Sequence, residues 1–261
     1  MKTRTISAII LLAIIIPLVI VGGIPFGLLI GLISILAVKE ITDLYKIPNI
    51  IKFLAFLGLI NIIYSNFDSS SILFGLNYEV LSTLVLGLLI PIIFFQIKEK
   101  YTTEDAFKLI GFILLIGLGL NYFILIRDYS LLYFIFMILI PIITDTFAFI
   151  GGVMIGKHKV TKLSPKKSWE GYIIGSLMGT FMMTMFYITL INANANILTV
   201  TSLIFMMTIV AQLGDLFFSA IKRTHNIKDF SSLIPGHGGV LDRLDSLIFV
   251  ALIFIVFMKY L

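Results

Sequence analysis

The chain has 261 residues, 59% of them hydrophobic and only 13% charged, with a mean hydropathy of +1.11 and a formal net charge of +5. So much apolar surface cannot be hidden in one core of this size, which excludes an ordinary water-soluble domain. The absence of cysteine excludes disulfides, thiolate metal sites and a cysteine nucleophile.

The apolar residues arrive in long blocks. A bilayer core of about 30 Å takes about 20 residues of helix, and backbone groups in lipid must be hydrogen-bonded within their own segment, so the blocks are expected to be helices. Met1 to Val21, with Lys2 and Arg4 in front, imitates a signal peptide. No small-residue cleavage site follows and a second apolar run starts at once, so the segment reads as a retained span. Nine blocks succeed one another, roughly Ile6–Val21, Ile24–Val38, Ile51–Ser65, Glu79–Ile97, Ala106–Ile126, Ser130–Ile155, Gly171–Ile191, Ile197–Ala220 and Leu244–Leu261. The first three are short and interrupted by Pro17, Pro25 and Gly58, so tilted helices or a tight hairpin are alternatives to full spans.

Cytoplasmic loops retain Lys and Arg, and this orients the spans. With the N-terminus inside, all of the 19 basic residues except Arg127 and Lys259 fall in inside connections. The outside connections are then Gly22–Gly23, Asn66–Tyr78, Arg127–Tyr129 and Asn192–Asn196, with the C-terminus also outside. The expected fold is therefore all-α and polytopic, with about nine spans, a cytoplasmic N-terminus and an outside C-terminus. Residues 1–128 are membrane helices without a motif; residues 129–261 carry the polar information. No internal repeat is visible, which argues against a transporter built from inverted repeats.

Polar chemistry gathers late in the chain. Asp215, in Gln212-Leu213-Gly214-Asp215-Leu216, lies inside an apolar run. An ionisable group at that depth costs about 2.5–3.5 kcal/mol and so calls for a partner or a polar cavity. Ser219 and Lys222 follow on the same helical face, and a snorkelling acid paired with Lys222 is the plain alternative. Pro235-Gly236-His237-Gly238-Gly239 cannot be helical and is expected as a loop whose bare N–H groups cradle an anion. Asp242 and Asp245 are spaced i, i+3 at the start of the last block, and such oxygen-only sites suit Mg²⁺ bridging to substrate phosphates. Lys222, Arg223, Lys228 and Arg243 would neutralise a polyphosphate. Taken singly, the basic residues fit the positive-inside signal and His237 fits a turn. Together, glycine loop, acids and basic cluster point to phosphate chemistry.

The stretch from Ser219 through Lys222, Arg223, Lys228, Asp229, His237, Gly238, Gly239, Asp242 and Arg243 to Asp245 closely resembles the signature of the phosphatidate cytidylyltransferase family, the CDP-diacylglycerol synthases. A second stretch agrees: Asp145-Thr146-Phe147-Ala148-Phe149, Gly151-Gly152, Gly156-Lys157-His158 and Ser164-Pro165-Lys166-Lys167-Ser168-Trp169-Glu170-Gly171. Many members have Thr where this chain has Ser168. Physically, Ser164 before Pro165 is a good helix start, and Ser168 suits an N-cap of the seventh span. Lys166 and Lys167 can reach a phosphate; ordinary interface anchoring beside Trp169 is the alternative.

The resemblance implies that CTP and phosphatidic acid give CDP-diacylglycerol and diphosphate, by in-line attack of the lipid phosphate on the α-phosphorus. It implies Mg²⁺ with a second cation, K⁺ being one candidate, and a homodimer. Asp215 and Asp242 are expected as metal ligands brought together from two helices, with Asp245 completing the shell or orienting Arg243. Lys222, Arg223 and Lys228 are expected at the CTP phosphates, with Asp229, Arg243 and the His237–Gly239 loop lining that pocket. Lys166, Lys167, Ser219 and Asp145 complete the substrate side. The expected setting is a multi-pass protein of a bacterial plasma membrane, contacting membrane lipid and no nucleic acid, with its site on the cytoplasmic side. Rival readings are a CTP-dependent membrane enzyme acting on another lipid phosphate or a prenyl alcohol, and an ion-coupled transporter using Asp145 and Asp215.

Overall fold

The structure, a computed structural model, describes residues 2–65, 78–95, 100–161, 164, 167–258 and 260, the side chains of 2–4 and 78 excepted. Lys98, Lys162, Lys166, Lys259 and nearly all of the expected outside connection from Asn66 to Tyr78 lie outside the described residues.

Each apolar block is mainly helical over its described residues: α1 Lys2–Val21, α2 Gly23–Leu44, α3 Asn49–Tyr64, α4 Tyr78–Leu89, α5 Ile92–Phe95, α6 Thr103–Tyr129, α7 Leu131–Ile155, α8 Trp169–Phe186, α9 Ile197–Thr224 and α10 Leu241–Met258. A π-helical turn, Tyr187–Ile191, extends α8. Among the described residues, extended pairing is limited to two isolated bridges, Lys159 with Ser168 and Ile234 with Gly238. Five of these helices are long and apolar enough to cross a membrane: α2, α6, α7, α8 with its π turn, and α9. Thr5–Val21, Asn49–Tyr64 and Glu79–Phe95 are shorter apolar helices.

Several boundaries differ from the sequence expectation. The fourth block is broken between α4 and α5 because Pro91 brings no N–H to the ladder and its ring collides with the preceding turn. Pro165 and Lys166, the residues that would test a helix start at Ser164, lie outside the described residues; Ser164 O accepts from Lys167 N at 3.1 Å, and α8 begins at Trp169, after Ser168. Helix α2 overruns its apolar block through Lys39, Glu40 and Asp43 to Leu44.

The chain divides into two compact units, Met1–Asp128 with Asp229–Asp242, and Tyr129–Lys228 with Arg243–Leu261. In the first unit, α1 and α2 form the tight hairpin, turning on Gly22 and Gly23, both with positive φ. The Arg127 guanidinium caps the end of α1: Nε donates to Val19 O and Nη2 to Ile20 O at 2.6 Å. A positive charge on terminal carbonyls complements the helix dipole, which accounts for one of the two basic residues outside the inside connections. Tyr64 donates to Gly27 O at 2.9 Å, and the buried Asn121 amide donates to Ile63 O at 2.8 Å. The start of α2 and the ends of α1, α3 and α6 therefore share one end of this unit. At the other end, Lys108 near the start of α6 lies 5.5 Å over the Tyr45 ring that follows α2.

In the second unit, α8 lies against α7 along Gly171, Gly175 and Gly179. A Cβ on Gly171 would meet Ala148 O at 2.6 Å, and one on Gly179 would meet Thr144 Oγ1 at 2.7 Å. Small residues four apart let membrane helices approach closely. Near the π turn, Phe136, Tyr187, Phe254 and Phe257 form an aromatic cluster with ring centroids 5.5 to 6.1 Å apart. A Cβ on Gly175 would stand 2.7 Å from both Ala148 Cβ and Thr144 O. Gly175→Ala is therefore expected to cost about 1–3 kcal/mol by overpacking. A lowered unfolding temperature in detergent is the expected result; an unchanged one contradicts close α7–α8 packing.

Candidate active site

In the second unit, the polar centre is built on a short hairpin between α7 and α8. Val160 N donates to Lys167 O at 3.0 Å and Trp169 N to His158 O at 2.9 Å. The Glu170 carboxylate ties down the opposite strand, accepting from Lys157 N at 3.1 Å, His158 N at 3.2 Å and His158 Nδ1 at 2.5 Å. Ser168 caps α8 as its sequence suggests, accepting from Gly171 N at 3.2 Å. So held, Lys167 extends its ammonium onto Asp215 Oδ2.

Asp215 thus pairs with Lys167 rather than with Lys222. Its other oxygen accepts from Ser219 Oγ, one turn further along α9, at 3.3 Å. Lys167 also lies 5.5 Å over the Tyr172 ring. Burial lowers the Lys167 pKa, Asp145 and Asp245 oppose this by attraction, and Lys222 adds repulsion. The Lys167 ammonium thus contacts Asp215, which Ser219 also holds, and feels the charges of Asp145, Asp245 and Lys222. Lys222 is buried, and Asp245 Oδ1 accepts from Ser246 N at 2.7 Å. Arg223 is exposed and donates to Ile227 O at 2.9 Å, closing the end of α9. Lys228 is exposed. An apolar groove of about 420 Å³ runs from Val160 and Trp169 between α8 and α9, with Tyr172, Gln212 and Leu216 beside the Lys167–Asp215 pair.

In the first unit, the signature loop makes a Pro-Gly turn. His237 N donates to Ile234 O at 2.9 Å across Pro235 and Gly236, with positive φ at Gly236, as a type II turn requires. Ser7 in α1 donates to Pro235 O at 3.0 Å and lies 3.0 Å from His237 Nδ1.

The expected open N–H cradle is not what this loop presents. Gly238 N donates to Ile234 O at 3.2 Å. Gly239 N and Phe230 N both donate to Asp242 Oδ2 at 2.9 Å. Val240 N and Leu241 N donate to Glu40, at 2.8 and 2.9 Å. The loop does cradle anions, but they are the chain's own carboxylates. Arg243, which belongs to the second unit, is exposed, as is Asp229 at the margin of the loop. A cleft of about 500 Å³ opens beside it, lined by Lys39, Glu40, Asp43, Phe230, Ser231 and Leu233 among others.

Among the described residues, no three His, Asp or Glu side chains gather to form a ready-made metal shell. The residues nevertheless fit a hard cation that completes its shell with water and phosphate oxygens: Asp215 already grips a positive charge, and Asp242 is a second carboxylate, fixed in place by backbone donors. Glu40, Ser7 and Tyr172 are polar members of these clusters that sequence reasoning passed over. Glu40 carried a signal, an acid at the end of an apolar block; Ser7 carried none.

The family model described as the cytidylyltransferase family matches residues 2–261, and the chain belongs to that family. Similar proteins named phosphatidate cytidylyltransferase occur in Staphylococcus epidermidis (strain ATCC 35984), 34% identical over 267 residues, and Staphylococcus haemolyticus (strain JCSC1435), 32% identical over 256. That of Staphylococcus aureus (strain COL) is 30% identical over 264 residues. Each alignment covers 96% of this chain and 96% of the relative.

Proposed function

We propose that the chain is a multi-pass membrane nucleotidyltransferase that joins CTP and phosphatidic acid into CDP-diacylglycerol, releasing diphosphate. The observation that carries this reading is the Lys167–Asp215–Ser219 cluster, in a chain matched over its whole length by the family. An oxygen of the lipid phosphate forms a bond to the α-phosphorus of CTP while the bond from that phosphorus to the diphosphate oxygen breaks. Such a transfer needs positioning and charge neutralisation rather than a covalent protein intermediate.

Mg²⁺ with a second cation, when bound, would neutralise charge on the attacking and leaving oxygens. Asp215 and Asp242 are the proposed cation ligands. Lys167, Lys222 and Ser219 meet phosphate oxygens, and Asp145 and Asp245 attract the Lys167 ammonium against the downward pull of burial on its pKa. The exposed Arg223, Lys228 and Arg243 draw CTP from the cytosol. The groove between α8 and α9 suits one acyl chain, because its walls are apolar and Tyr172, one of its lining residues, lies under the Lys167 ammonium. Asp215→Asn is expected to lower kcat by at least about 100-fold, the scale of losing a preorganised charge partner, while membrane insertion stays intact. Near-normal turnover of labelled CTP and phosphatidic acid by this variant rejects the assignment. Product formed from a prenyl alcohol instead of phosphatidic acid rejects the substrate.

The reading includes nine crossings with the N-terminus in the cytoplasm of a bacterial plasma membrane. The alternation of helix ends within the first unit supports it. Since the chain has no cysteine, single cysteines report sidedness without background. A cysteine at Asn194 is expected to react with an impermeant maleimide in intact cells, and one at Lys228 only after permeabilisation. The reverse pattern overturns the orientation.

A further inference from the structure

Glu40 stands at the end of α2, in the half of the chain that shows no motif, yet it is only 6% exposed. Its carboxylate accepts from Ser231 Oγ at 2.6 Å, Val240 N at 2.8 Å and Leu241 N at 2.9 Å. Two of these donors are backbone N–H groups at the start of α10, where the helix dipole favours a negative charge. A buried carboxylate so satisfied is fixed in place, and it fixes the loop in return.

Gly239 explains the fit. A Cβ there would lie 2.5 Å from Glu40 Oε1 and 2.7 Å from Oε2. Its N–H is already given to Asp242. The bare α-carbon of Gly239 faces the Glu40 carboxylate and its amide faces that of Asp242.

We infer that Glu40 is a positioning residue for the cytidylyl transfer, seating the signature loop so that Asp242 is held at the start of α10, and that Gly239 is glycine to admit the Glu40 carboxylate rather than a substrate phosphate. The inference rests on the proposed activity for its kinetic consequence, but not for its structural one. Losing an outer-shell partner of a cation ligand typically costs about 10–100-fold in activity or metal affinity.

The test is a double-mutant cycle on the full chain in nanodiscs, with amide exchange measured beside kinetics. Glu40→Ala and Gly239→Ala are each expected to lower kcat/KM for CTP by about 10–100-fold and to raise the Mg²⁺ needed for half-maximal rate. Glu40→Gln, which keeps the volume and one acceptor, should fall between Glu40→Ala and the native chain. The combined Glu40→Ala, Gly239→Ala variant should be no worse than Glu40→Ala alone, because the added methyl then meets empty space. Amides of Val240 and Leu241 should exchange slowly in the native chain and quickly in Glu40→Ala.

Equal further loss from Gly239→Ala in both backgrounds would show that Gly239 faces substrate and overturn the inference. Native-like exchange and an unchanged Mg²⁺ requirement in Glu40→Ala would overturn it as well. A native chain that exchanges as expected but turns over neither CTP nor phosphatidic acid would instead remove the proposed function and leave the Glu40 seat standing.

Discussion

Carboxylates withdrawn from water must find donors, and loops withdrawn from regular structure must find acceptors. In this chain the two needs meet. In the segment from Phe230 to Leu241, the backbone N–H groups of Phe230, Gly239, Val240 and Leu241 go to Asp242 and Glu40, and those two acids fasten its ends. The arrangement costs no helix its ladder, since the donors at the start of α10 lack intrahelical partners in any case. Glycine supplies the remaining freedom, at Gly236 and Gly238 for positive φ and at Gly239 for approach.

The second unit solves a comparable problem with a cation. Asp215 would be an uncompensated charge deep in an apolar helix, and Lys167 compensates it from a hairpin fastened by Glu170 and Ser168. The result is a carboxylate with a charged partner in reach and an ammonium held where phosphate chemistry can use it. Close α7–α8 packing through Gly171, Gly175 and Gly179 fixes Asp145 and Lys167 on neighbouring elements, so the glycine face and the charged centre depend on each other.

Much of this was legible in the sequence, for physical reasons that differ from place to place. Length and hydropathy suffice to mark every helical block, because lipid leaves the backbone few alternatives. The Ser168 cap and the Pro-Gly turn are local, and local chemistry is readable. The break at Pro91 was equally readable from the missing N–H but lay hidden inside an unbroken apolar run. The extension of α2 through Lys39 and Asp43 was masked because charges after a span look like a loop. The partners of Asp215, Gly239 and His237 were out of reach: Lys167, Glu40 and Ser7 lie far from them along the chain, and nothing in composition links them. Lys222 was the natural local guess for Asp215, and the long-range Lys167 prevailed because the hairpin delivers its ammonium directly to the carboxylate.

The most direct test of this account is an experimental structure of the chain with a nonhydrolysable CTP analogue and Mg²⁺ in lipid. The account predicts that Val240 N and Leu241 N remain bonded to Glu40, with the triphosphate held by side chains and cations instead. A triphosphate oxygen seated on the amides of Gly239, Val240 or Leu241, with Glu40 displaced, would contradict it.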